Sequence, residues 1–111
     1  MPVKHKCKIT VLRREFYKDL SDQYLAHPEG KCPVFKDGQE IMVDIDGFLH
    51  MLDGKICPDA WDCISRYVYA ALQGGSFMRG LTKDEKTMIV CCNDGTRPVI
   101  FKLERIDEEQ D

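Results

Sequence analysis

Apolar and polar residues alternate from about residue 5 to 14, where Cys7, Ile9 and Val11 fall on one face and Lys6, Lys8 and Thr10 on the other. That period of two predicts a half-buried β-strand. "YKDLSDQYL" is short and helix-compatible, and His27-Pro28-Glu29-Gly30 breaks it. Asp37-Gly38 predicts a turn and Gln39 to Val43 a second strand. In "DIDGFLHMLDG" two Asp-Gly turn signals surround a short apolar run, which reads as a hairpin arm or an irregular loop. From Pro58 to Gln73 the period changes: Trp61, Ile64, Val68, Ala71 and Leu72 recur at helical spacing. Pro58 suits the first helical position, and Gly74-Gly75 suits the end. "SFMRGLTKDEK" reads as an exposed loop. Residues 87–92 and 98–106 then predict an antiparallel hairpin around Asn93-Asp94-Gly95, with Val99, Phe101 and Leu103 on one face. The first strand is expected beside one of its arms, and the acidic tail 107–111 is expected to fray.

Strands at both ends and one good helix between them predict an α+β fold, a small twisted antiparallel sheet or partly open barrel covered by that helix. A chain of 111 residues without a linker or repeat is read as a single domain, 1–111, large enough for a core without staples.

Composition narrows the function classes. The formal charge of −3 argues against a nucleic-acid binder or an anionic-membrane binder. Lys4, Lys6, Lys8, Arg13 and Arg14 are concentrated near the start, and the plainest reading of them is a solvated edge strand guarded by lysine. No segment reaches the ~20 apolar residues of a membrane span, and the first residues lack the apolar stretch of a secretory signal, so the expected compartment is the cytoplasm. The six cysteines are then expected to be buried, metal-bound or catalytic rather than paired.

Their order is Cys7, Cys32, Cys57, Cys63, Cys91 and Cys92, and C-x-x-C is absent, so any shared site must be assembled from distant segments. If both Cys91 and Cys92 lie in the predicted strand they point to opposite faces and only one can face a shared site, unless the turn begins at Cys92. Cys57 precedes the helix, where unpaired backbone amides and the helix dipole favour a thiolate. Cys32 lies in a loop, held extended by Pro33. Cys63, inside the helix, reads as a buried small hydrophobe, and the whole set is open to that reading. His5, His27 and His50 read as solvated or locally bonded, Trp61 as a core anchor, and Asp94 and Arg97 as turn-forming and salt-bridging residues.

"KCKITVLRR", "CPVFKDGQEI", "CPDAW" and "CCNDGTRPVIFKLERI" together resemble a family of small bacterial and archaeal proteins that carries no assigned reaction. The resemblance runs from Lys6 to Ile106. It implies that Cys7, Cys32, Cys57, Cys91 and Cys92 are motif positions, with Pro58, Trp61, Asp94, Gly95, Arg97 and Pro98, whereas Cys63 is not. A shared cysteine site is therefore the first expectation. It would be a metal site holding zinc, iron or an iron–sulfur cluster, or a thiol redox site, formed by Cys7, Cys32, Cys57 and one of Cys91 or Cys92. One alternative is a metal-free small-ligand binding module with a pocket around Trp61 and Arg97, the latter pairing with an anion. Another is a small enzyme with Cys57 as its single nucleophile.

Overall fold

The structure, a computed structural model, describes residues 3–109. Its strands are β1 (Val3–Arg14), β2 (Glu40–Val43), β3 (Thr87–Cys91) and β4 (Val99–Glu109), and its helices α1 (Lys18–Tyr24), α2 (Ile45–Leu49) and α3 (Pro58–Leu72). The fold is α+β. The strands form one open antiparallel sheet in the order β2-β1-β4-β3.

Alternation sets the core. Cys7, Ile9 and Val11 of β1 and Val99, Phe101 and Leu103 of β4 are buried on the same side of the sheet. Onto that side α3 packs against β1, β4 and β3. Ala60, Ile64, Val68, Ala71 and Leu72, spaced along one stripe of the helix, supply its buried face. Phe35 from the long loop after α1 closes the layer, edge-on to Phe101 with ring centroids 5.2 Å apart. Trp61 is half-buried at the margin of this core instead of anchoring it.

β1 is not an edge strand. It lies between β2 and β4, and four of its basic side chains are paired: Lys6 with Glu108 at 3.2 Å, Lys8 with Glu40 at 3.0 Å, Arg13 with Glu15 and Arg14 with Asp37. The lysines therefore lie across the solvated face of a central ladder, among carboxylates of the neighbouring strands. The register shifts once, between Val11 and Arg13. Beyond it the pairing continues irregularly, with the Glu15 amide donating to the Pro98 carbonyl and the Tyr17 amide to that of Thr96.

Three further expectations are corrected. "SFMRGLTKDEK" is a loop, but Phe77 within it is 2% exposed and its amide donates to the Glu85 carbonyl. Asp107–Glu109 extend β4 rather than fray, while Gln110 and Asp111 lie outside the described residues. "DIDGFLHMLDG" forms neither an arm nor a shapeless loop. Asp44 caps α2 by accepting from the Gly47 amide at 2.7 Å, and a tight turn, Met51–Gly54, follows. Met51, Leu52 and Asp53 have φ of 51°, 53° and 55°, three successive side-chain-bearing residues in the left-handed region. Each costs roughly 1–2 kcal/mol relative to ordinary backbone. Leu52 packing on the core and the Lys55 amide bonded to the Leu52 carbonyl hold the turn in place.

Charge fastens the far end of α3. Arg105 on β4 donates to the carbonyls of Gly74 and Gly75, just past the helix, at 2.8 and 2.7 Å, while the amides of Gln73, Gly74 and Gly75 close the last turn of α3 onto the carbonyls of Tyr69, Ala71 and Ala70. The same guanidinium meets Asp107, which also takes His5 at 2.7 Å and Lys86 at 3.1 Å. His5, then Arg105 and Lys86, hold the Asp107 carboxyl well below the usual carboxylate range, outweighing its partial burial. Gly74, at φ +79°, has no space for a side chain, because a Cβ there would lie 2.7 Å from the His5 ring.

Candidate functional site

At the opposite end of α3 three segments meet around a small recess of about 80 Å³. The loop after α1 brings Cys32, the residue before α3 is Cys57, and the chain leaving β3 brings Cys92. Asp94 and Arg97, from the turn between β3 and β4, complete its polar wall, with Asp59 at the helix start.

Each thiol is positioned by a different device. Cys32 is held through its backbone: its carbonyl accepts from Arg14 Nη1 at 2.9 Å, and Arg14 is in turn fixed by Asp37, at 2.9 Å from Nε. Cys57 is the N-cap of α3, extended at φ −60° and ψ 127°, with Pro58 as the first helical residue. Its side chain makes no capping hydrogen bond, so the sulfur is not committed to the helix amides. Cys92 is tied at both levels to Val99: its amide donates to the Val99 carbonyl at 3.2 Å, and its Sγ accepts from the Val99 amide at 3.4 Å. β3 ends at Cys91, which is exposed, so Cys92 is the member of the pair that faces the recess.

Arg97 is the cation of the site. It donates to Asp94 at 3.2 Å and pairs with Glu29, which joins the β3–β4 turn to the loop carrying Cys32. Partial burial alone would lower its pKa, but Asp94, Glu29 and the nearby Cys32 thiol together raise it. Asp94 Oδ1 accepts from the amide and hydroxyl of Thr96, both at 3.0 Å, and from the Arg97 amide. Those bonds and the guanidinium overcome desolvation and hold the carboxyl below its ordinary value. Asp94 thus shapes the turn and aims Arg97, the turn-forming and salt-bridging roles expected of the pair.

Cys7 is not part of this arrangement. It is fully buried in the core, where desolvation pushes its thiol up to about 12, offset in part by a backbone hydrogen bond at Glu104. The alternation that puts Cys7 with Ile9 and Val11 directs it into the packed layer, away from the helix N-terminus. Among the described residues no group of three or more histidine, cysteine or carboxylate side chains is arranged to hold a metal ion. The four-thiol centre that included Cys7 is therefore not assembled here. Trp61 and Arg97 do not share a pocket either, because Trp61 lines a different cavity on the outer side of α3.

Cys63 is the residue that sequence reasoning set aside and the structure brings close. Burial, then the neighbouring Cys92, Asp62 and Cys91, raise its thiol pKa, with Arg66 pulling the other way. It lies three residues from buried Ala60 and four from Tyr67, on the flank of the core stripe that faces β3. That spacing was the available signal. The histidines are elsewhere: His5 bonds Asp107, and His50 bonds the Asp46 carbonyl at 2.8 Å.

Five of the six cysteines therefore lie around one end of α3, and three of them line one recess beside a guanidinium. All six are free thiols. Among the described residues no helix is long and apolar enough to cross a membrane. No protein-family model, no curated protein and no solved structure matches this chain.

Proposed function

We propose that this is a cytoplasmic thiol redox protein in which Cys57, Cys32 and Cys92 exchange with the disulfide of a partner molecule. The observation that carries the reading is the convergence of three thiols, from three separate segments, on one recess beside Arg97. Cys57 is the attacking residue. Its sulfur has no capping bond, and it sits at the N-terminal end of a 15-residue helix, open to the recess. The Cys57 thiolate attacks one sulfur of the partner disulfide, that S–S bond breaks, and one partner thiol leaves. Cys32 or Cys92, as thiolate, then attacks Cys57 and releases the second partner thiol. The protein loses two electrons and two protons, and the partner disulfide gains both. Arg97 lines the same recess as Cys32 and is the cation beside the thiols. Glu29, which pairs with Arg97, holds the cysteine loop against the site.

Oxidised glutathione tests the reading. Incubation under anaerobic conditions, followed by peptide mapping, is expected to yield a disulfide within the set Cys32, Cys57 and Cys92, reversible by dithiothreitol, with Cys7 unmodified. Absence of any such bond, or mixed disulfides confined to Cys91, would reject it. Elemental analysis of protein purified without oxygen separates the alternative. About one zinc or iron per chain would make the same soft donors metal ligands.

A further inference from the structure

On the outer side of α3, apart from the thiols, is an open cavity of about 480 Å³. One wall is a single helix face, Pro58, Trp61, Asp62 and Ser65, and the other is Ile56 with Met51 and Gly54 of the left-handed turn. That volume lies in the range of small-molecule sites, and its mixture of apolar walls and few polar groups is the usual one. The Trp61 ring is set by its neighbour Phe48, at 5.5 Å between centroids, and Phe48 is backed by Tyr69 at 5.3 Å. The pocket wall is thus built before any ligand arrives. Its one charge is the exposed carboxylate of Asp62, which forms no salt bridge among the described residues. Arg66, one turn along α3, is coupled to it electrostatically, while Asp59 lines the thiol recess and Asp53 a separate groove with Lys55.

We infer that this cavity binds a small organic cation with an aromatic or apolar body. The body would lie against Trp61, Ile56 and Met51, with its ammonium group toward Asp62 and within reach of the Ser65 hydroxyl. The indole face takes the aromatic or apolar body, and the carboxylate, which when ionised can only accept hydrogen bonds, selects the positively charged donor. The inference rests on the cavity alone and stands or falls independently of the thiol reading.

The chain has one tryptophan, so its indole N–H resonance reports this cavity directly. Reduced ¹⁵N-labelled protein would be titrated with 2-phenylethylammonium and, separately, with phenylacetate. The cation is expected to saturate with a Kd of about 1 mM, ordinary for a ligand of this size. Shifts should centre on Trp61, Met51, Ile56 and Ser65. Asp62→Asn, on an exposed helix surface, is expected to weaken the cation about threefold while leaving the spectrum otherwise unchanged. Non-saturating shifts, shifts centred elsewhere, or equal response to both probes with no effect of D62N would each overturn the inference.

Discussion

The C-terminal end of α3 is fastened by charge, whereas its N-terminal end leaves its capping side chain unbonded. At the first, Arg105 occupies the Gly74 and Gly75 carbonyls and is itself held by Asp107, with His5 and Lys86 filling the remaining carboxylate positions. At the second, the N-cap is a cysteine without a capping bond, next to a recess, two further thiols and a cavity. Both ends face the same physical problem of unsatisfied helix termini. The C-terminal end meets it with backbone bonds from Gln73, Gly74 and Gly75, whose turn Arg105 then pins to the sheet, whereas the N-terminal end has no side-chain cap, and the proposed chemistry is concentrated there. Real proteins commonly depart from local rules at functional sites, and the N-terminal end of α3 is such a departure.

Mutation can break this contrast at either end. The largest effect is expected from Arg105→Ala. The side chain is 11% exposed and joins the two carbonyls that follow α3 to a carboxylate, so its loss should cost about 3 kcal/mol, read as a lower urea midpoint. An unchanged midpoint would mean that the charge network is ornamental and that the comparison fails. Gly74→Ala comes next. A left-handed φ and a Cβ 2.7 Å from the His5 ring together predict a loss of about 2 kcal/mol. His5→Ala in the same background should recover part of it by removing the clash. The smallest effect has the opposite sign. Cys57→Ser supplies a capping oxygen to the amides of Asp59 or Ala60 and should stabilise the protein by about 0.5–1 kcal/mol while abolishing disulfide exchange. Destabilisation by C57S would show that the sulfur already does what a cap does.

The sheet and the main helix were legible because each is written in a single period over at least five residues. The alternation of Cys7, Ile9 and Val11 against Lys6, Lys8 and Thr10 gave both the strand and the side that is buried. Cys7 was nonetheless expected in the shared site, although its partners on that face, Ile9 and Val11, are core residues and it is buried with them. The basic run misled for a specific reason: lysines guard edges, but they equally cover a central strand when Glu40 and Glu108 lie beside them, and those residues are distant in sequence. The turn at Met51–Gly54 was illegible because its left-handed residues are imposed by packing, not by glycine. Of the candidate site, adjacency lets only one of Cys91 and Cys92 face inward, and Cys92 does. That Cys32 and Arg97 meet, and that Trp61 faces elsewhere, depends on how loops cross the sheet, which no local pattern records.

The pairing of β1 with β4 has a consequence for how the chain is made. β1 lies between β2 and β4, yet its longest ladder, from Val3 opposite Glu109 to Arg14 opposite Val99, joins segments separated by nearly the whole sequence. Until the ribosome has released Val99–Glu109, β1 has only the four-residue β2 to pair with, and an isolated two-stranded ribbon is marginal in water. β3 cannot join the sheet earlier, because its ladder is with β4. The nascent chain therefore leaves the exit tunnel with its core strands unpaired and its thiols uncovered, and completes its sheet only after the closure of a very long loop.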